Sequence, residues 1–319
     1  AGGGGAPEGA GVAGRRDVRR GPAHLAGQVG IAVTDSLTQH GHLEPKGARD
    51  WKLTASGELF CARVGVDLGE ARRASTRHFA RQCLDWSERR PHISGALGAA
   101  IADTFFKKVS ANYKAEELSP TILAVVGDHL LAKGETAKAA AYFEYIKEHN
   151  RSSEYADFGF AGLAEILLQQ KKFKEALELC NEAVDNQITM SKEKEIKFAR
   201  ARALAETQAY PDAKKAFEEI LQTKEWRGEA TAGSLYWLGV MEERQGRNAE
   251  AVAYYRRCYQ TWKKYEFWSA KAYLATARVL ADKLGQKPEA KLLLAEMLSK
   301  DRIKDTPEAS EAKSLNTRL

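Results

Sequence analysis

Between about Ser119 and Ser299, apolar residues recur at the spacing of amphipathic helices, and the pattern itself repeats. The same station carries an alanine five times, at Ala139, Ala176, Ala213, Ala251 and Ala290, with intervals of 37, 37, 38 and 39 residues. Four residues after each stands a larger side chain (Phe143, Cys180, Phe217, Tyr255, Leu294), and three further on another apolar one (Ile146, Ala183, Ile220, Cys258, Met297). Positions i, i+4 and i+7 share one face of a helix, so each alanine opens a helix with a continuous apolar stripe.

Upstream of the alanine lies a second stripe, seen in Leu123, Val126, Gly127 and Leu130, then in Phe160, Leu163, Ala164 and Leu167, then in Leu235, Leu238 and Gly239. The pattern therefore predicts paired helices, with Gly127, Ala164, Ala201 and Gly239 where two helices approach closely. Turns within three pairs fall at Gly134, Gly246 and Gly285, as expected where a helix ends in a left-handed residue. The other two pairs use Lys171-Lys172-Phe173 and Ala209-Tyr210-Pro211-Asp212, the proline suiting a helix start. Lys197, Arg200 and Arg278 occupy stations where apolar or small residues are usual, which makes the third and fifth units degenerate.

These residues resemble the tetratricopeptide repeat, a helical hairpin of about 34 residues. The longer spacing implies extra residues in the loops between units. The expected fold is all-α: a right-handed solenoid of about five hairpins over 105–300, with a smaller, mostly helical N-terminal segment. The resemblance implies that first helices line a concave groove, whose candidate residues are Asp128, Phe158, Glu165, Gln169, Phe198, Arg202, Tyr236, Glu243 and Arg244. Aromatics with charges of both signs suit a peptide or helix from a partner; alternatively, Phe158, Phe198 and Tyr236 pack between neighbouring helices. The family's chaperone-binding members grip a C-terminal carboxylate with Lys and Asn. The corresponding stations here hold Asp128, Glu165, Arg202, Val240 and Val279, which does not match that mode. The aromatic run Tyr254, Tyr255, Tyr259, Trp262, Tyr265, Phe267 and Trp268 reads either as a stacking platform beside Lys263 and Lys264, or as helix packing. The polar tail 301–319 is expected to be frayed or capping.

The N-terminal segment carries a different duplication. The stretch from His24 to Asp35 (HLAGQVGIAVTD) matches that from His92 to Asp103 (HISGALGAAIAD), and each copy reads as a short amphipathic helix. Between them, Trp51 to Glu58 reads as a short strand followed by a helix capped by Thr54. Residues 21–104 resemble the effector part of bacterial ArsR-type winged-helix regulators, through His24-Leu25-Ala26-Gly27, Leu53-Thr54-x-x-Gly57 and the long string from Cys83 to His92 (CLDWSERRPH). The helix-turn-helix of that family belongs upstream, where this sequence has only a Gly/Arg tract, and the closing wing belongs after residue 104, where the Lys-rich repeats begin. Without a recognition helix, direct base readout has no vehicle.

Composition adds a boundary. Residues 1–104 hold 12 Arg and 2 Lys, whereas 105–319 hold 11 Arg and 24 Lys, so the chain changes character near Thr104 to Lys108. That shift argues for two segments of separate origin, either a domain fusion or an artificial or mis-assembled join. Residues 1–20 are low in apolar content and are expected to be disordered. The net charge of +6 is too evenly balanced to demand nucleic acid.

Chemistry is sparse. The cysteines Cys61, Cys83, Cys180 and Cys258 are scattered, without the spacing of a disulfide framework or structural zinc site. Cys83, Asp85 and His92 bear ligand chemistry for a metal or effector; the plainer reading has Cys83 as a small buried hydrophobe and His92 packing at a helix start. No P-loop, nucleophile elbow, HExxH or dinucleotide fingerprint is present. No apolar run approaches a membrane span, and no secretory signal is seen, which favours the cytoplasm. With no Met before Met190, the sequence is not expected to begin at a natural start. The expected function is a non-enzymatic scaffold without cofactors, binding a protein or peptide partner. The alternative is a DNA-binding ArsR-like regulator that uses the repeats for sensing or oligomerisation.

Overall fold

The computed structural model describes residues 27–74, 78–84 and 89–319. The tract 1–20, with its expected disorder, lies outside the described residues, as do His24, Leu25, Ala26 and Asp85. The chain divides into two compact units between Tyr155 and Ala156. Among the described residues, no helix is long and apolar enough to cross a membrane.

The first unit opens with α1 (Gly27–Gln39), the hairpin β1 (Leu43–Lys46) and β2 (Asp50–Leu53), then α2 (Ala55–Val64) and α3 (Leu68–Ala74). A second hairpin, β3 (Arg81–Leu84) and β4 (Pro91–Ser94), leads into α4 (Gly95–Asn112). The four strands form one antiparallel sheet in the order β1-β2-β3-β4. The strand and capped helix read from Trp51 to Glu58 are present, and Thr54 Oγ1 accepts from the Gly57 amide at 3.0 Å. The Leu53-Thr54-x-x-Gly57 motif is structural. The Thr54 hydroxyl donates to the Gly41 carbonyl at 2.7 Å, and a Cβ on Gly57 would lie 2.2 Å from the His42 carbonyl oxygen. Glycine lets α2 sit against the hairpin.

The reading of His92 to Asp103 as one helix needs correction. His92, Ile93 and Ser94 belong to β4, and the helix starts at Gly95. Ile93, on a strand paired with β3, is buried in a core with Leu37, Leu43, Trp51 and Leu97, where its backbone needs partners from other elements. Its amide donates to the buried Thr34 hydroxyl of α1 at 2.9 Å. The smaller segment thus holds a sheet as well as helices.

The composition break falls inside α4, which continues through residues 104–108 without interruption. The helical pair α5 (Pro120–Ala132) and α6 (Thr136–His149) follows in the same unit. On α4, Phe106 stacks on His129 of α5, with ring centres 4.1 Å apart, and Asp103 pairs with Lys133 at 3.1 Å.

The second unit holds the remaining pairs: α7 (Ala156–Gln169) with α8 (Phe173–Asp185), α9 (Glu193–Glu206) with α10 (Tyr210–Gln222), and α11 (Glu229–Arg244) with α12 (Asn248–Thr261). After α13 (Glu266–Arg278) comes a π-helical turn (Val279–Lys283), then α14 (Lys287–Leu298) and α15 (Pro307–Arg318). Each helix packs on the next in sequence, and the first helices also pack side by side: α7 on α9, α9 on α11, α11 on α13.

All fifteen stripe residues of the second helices, from Ala139 to Met297, are at most 1% exposed. The small stations do what their size requires: a Cβ on Gly127 would lie 2.6 Å from the Phe143 ring, and one on Gly239 would lie 2.5 Å from the Tyr255 ring. The turns share one geometry. Gly134, Gly246 and Gly285 have positive φ, and so do Lys171 (60°) and Gln208 (64°) at the equivalent station five residues before the alanine. The left-handed residue is a property of the hairpin; glycine only makes it easier. A buried carboxylate organises one loop, where Asp157 Oδ2 accepts from the amides of Met190 at 2.9 Å and Lys192 at 2.6 Å.

One feature of the last pair differs from expectation. Arg278 is not a degenerate core position: the π-helical turn lengthens the first helix, the small station is the wholly buried Ala277, and Arg278 is exposed. The polar tail contains α15, which packs on α13 and α14 through the buried residues Ala309, Ala312 and Leu315. It stands beside α13 as another first helix would, with its polar side facing outward.

Two outcomes test this packing. Gly239→Ala is expected to destabilise the second unit by about 1–3 kcal/mol, because the wholly buried Tyr255 ring cannot yield without disturbing its neighbours; urea denaturation measures the loss. His129 has its pKa below the ordinary 6.5, chiefly through burial, against the opposing pull of Asp103. The folded first unit therefore favours neutral imidazole, so its stability is fully present above that value and declines as pH falls below it. Thermal melts of His129→Gln are expected to show a shallower decline between pH 7 and pH 5 than the parent chain.

Candidate functional site

The first helices of the second unit form a row, and eight of the nine candidate groove residues stand on it. Asp128 belongs to the first unit, half-buried on α5. On α7, Phe158 lies under the Lys192 ammonium, which sits 4.3 Å from the ring centre. One turn or two further on, Glu165 accepts from Arg202 Nη1 at 2.6 Å and from Gln169 Nε2 at 3.0 Å. The Arg202–Glu165 pair is largely withdrawn from water, with side-chain exposures of 17% and 26%. Arg202 also lies 5.7 Å from the centre of the Phe198 ring.

The aromatic candidates Phe198 and Tyr236 pack between neighbouring helices, the alternative considered for them. Phe198 meets Phe217 and Trp268 edge-on, at 6.2 and 5.7 Å between ring centres. Tyr236 tilts against Tyr255 and Trp268 at 5.6 and 5.7 Å. Both are half-buried, so each braces neighbouring helices while leaving an edge on the face. Burial first, then Glu243 and Glu308, push the Tyr236 hydroxyl up to about 12, and Tyr255 donates to Glu243 at 2.7 Å.

Sequence reading missed the partners that hold these groups. Arg244 pairs with Glu206 at 2.9 Å, donates to the Ala205 carbonyl at 3.4 Å and lies 5.9 Å from the Trp237 ring centre. Arg278 pairs with Glu311 of α15. A signal was available: Glu165 with Arg202 and Glu206 with Arg244 are opposite charges about one repeat length apart on successive first helices. Tyr236, Glu243 and Arg244 converge with Arg278 and Lys283 on an open cleft of roughly 330 Å³ between α11 and α13. Val240, Tyr255 and Ala275 complete its wall.

The aromatic run from Tyr254 is mainly packing. Tyr255, Tyr259 and Trp268 are buried, and Tyr259 stacks on Tyr273 at 3.8 Å. Phe267 is the exposed member of the run, with Lys271 4.8 Å from its ring centre. Lys197 and Arg200, taken as degenerate, are tied down as well: Lys197 pairs with Glu219 at 2.7 Å, and Arg200 donates to Asn181 at 2.6 Å.

The other candidate set is partly outside the described residues, because Asp85 is. Cys83 and His92 are cross-strand neighbours in the β3–β4 register, with His92 buried and Cys83 half-exposed. Among the described residues, no group of three or more His, Cys, Asp or Glu side chains could hold a metal ion. Burial pushes the thiols of Cys180 and Cys258 up to about 12, which makes them poor nucleophiles at neutral pH.

A family model described as tetratricopeptide repeat matches residues 127–190 and 198–266. These hairpins are tetratricopeptide repeats. Among solved structures, MamA MSR-1 C2 covers 62% of this chain and 97% of its own, at 14% identity and a TM-score of 0.39, a distant likeness. The chain is also similar to an uncharacterized HTH-type transcriptional regulator, YdfF of Bacillus subtilis (strain 168). It is 46% identical over 78 residues, which make up 24% of this chain. The chain spans about a third of that relative's length (34%), and the match supports the regulator-like character of the N-terminal segment.

The Glu165–Arg202 pair joins one repeat to the next, so a double-mutant cycle with Glu165→Gln and Arg202→Met is expected to give a coupling energy of about 1–2 kcal/mol. Coupling near zero in denaturant titrations would make the pair incidental to repeat stacking.

Proposed function

We propose that the chain is a non-enzymatic interaction scaffold that holds a segment of a protein partner along its row of first helices. The observation that carries this reading is the open cleft between α11 and α13, continuous with half-buried aromatics and paired charges on a tetratricopeptide array. Rigid aromatics offer contact area at little entropic cost, while the charged pairs, held by their own partners, present fixed donors and acceptors. The inert buried thiols and the lack of a catalytic motif fit binding better than chemistry.

A random-peptide display selection on the full chain tests the reading. Binders should emerge that lose affinity at least fivefold with Gln169→Arg or Arg244→Ala on this face, and keep it with Glu178→Arg on the exposed side of α8. An empty selection, or binders sensitive only to Glu178→Arg, would count against it.

A second reading, a transcriptional regulator, is favoured by the 46% identity to the HTH-type protein. It requires salt-dependent binding to duplex DNA. A mobility shift at low salt that fades with added salt supports it, and no shift at low salt removes it.

A further inference from the structure

The cleft between α11 and α13 takes one of its cations, Lys283, from a π-helical turn. In the other pairs of the second unit, the first helix ends as a regular α-helix; in the last, the π-helical turn from Val279 to Lys283 adds a residue. The extra residue falls after Arg278, so Ala277 keeps the buried small station, Arg278 stands at the surface beside it, and Lys283, within the turn, is set at the cleft wall. Such turns re-aim side chains that a regular helix would place elsewhere.

The walls are chemically uneven. Val240 and Ala275 are apolar, and Tyr236 and Tyr255 contribute rings. Glu243, the carboxylate of the lining, already accepts from the Tyr255 hydroxyl at 2.7 Å. Against it stand Arg244, Arg278 and Lys283. Glu206 and Glu311 hold the two arginines from outside the cleft wall. Arg244 also donates to the Ala205 carbonyl; a guanidinium has five N–H donors, so these partners orient each arginine and leave other donors available. Lys283 makes no ion pair or hydrogen bond among the described residues, and it is the cation left unmatched.

We infer that this cleft takes an acidic side chain, an Asp or Glu flanked by apolar residues within a partner segment. The carboxylate meets Lys283 and the outward donors of Arg278 and Arg244, and a neighbouring aliphatic side chain lies on Val240 and Ala275. The inference rests on the scaffold reading and names the ligand chemistry at one place along the face. It concerns an internal side chain, so a free C-terminus is not required.

The test is fluorescence anisotropy with the full chain and three labelled, C-terminally amidated peptides that alternate Leu with Glu, with Gln or with Lys. The Leu/Glu peptide is expected to bind at least tenfold more tightly than the Leu/Gln peptide, with the Leu/Lys peptide weakest. Raising salt from 50 to 300 mM should weaken only the Leu/Glu peptide. Lys283→Glu should lower its affinity at least fivefold, while Lys291→Glu, exposed on α14 away from the cleft, should leave it unchanged; matched thermal melts confirm that both variants fold. Equal affinity for the Glu and Gln peptides, no binding of any of them, or indifference to Lys283→Glu overturns the inference. If a Gln peptide binds equally and is lost with Gln169→Arg, the scaffold reading stands and the acidic preference alone fails. If display selection is also empty, both fail.

Discussion

The array depends on how closely two helices of a hairpin can approach. At Ala139, Ala176, Ala213, Ala251 and Ala290 a methyl group is wholly buried at the mouth of the pair, and anything larger would push the helices apart. One turn on, the cost of so small a residue is recovered by a large one: Phe143 and Tyr255 fill the space opposite Gly127 and Gly239. Interiors packed to this density transmit any change of volume to the backbone. The inter-helix spacing of one pair therefore sets where the next can dock, and with it the positions of side chains on the first-helix face.

That dependence explains why residues on the face also tie neighbouring helices together. Phe198 and Tyr236 brace Trp268, and the pairs Glu165–Arg202 and Glu206–Arg244 run from one first helix to the next. Charges held in this way contribute modestly to stability, but they fix register and keep a constant pattern of donors on the surface. The same holds for α15, which covers the apolar side of α13 and α14 and presents polar residues outward. A row of stacked hairpins needs such cover, since each unit buries its apolar surface only against a neighbour.

Much of the repeat architecture was legible in the sequence because helical packing of this kind is local. A stripe at i, i+4 and i+7 depends on a few consecutive residues, and its recurrence every 37 to 39 residues leaves little freedom in where the hairpins fall. The same local logic found Thr54 as a helix cap and Gly134, Gly246 and Gly285 as left-handed turns. It failed for His92 to Ser94, where a duplicated helical pattern gave way to strand pairing. Residues far apart in the chain, Thr34 and Cys83 among them, supply the bonding that decides that segment.

The candidate site divides along the same line. By itself, the sequence determined which residues stand on the first helices, because their periodicity relative to the buried stripe assigns them a face. Tertiary structure alone decided which of them meet. Arg244 finds Glu206, Arg278 finds Glu311 in a tail that reads as merely polar, and one extra residue in the π-helical turn after Arg278 leaves Ala277 rather than Arg278 at the small station. A single inserted residue rotates everything after it by about 100° around a helix, and composition alone does not reveal whether the helix absorbs it or ends. Periodicity identifies faces; only packed coordinates identify neighbours.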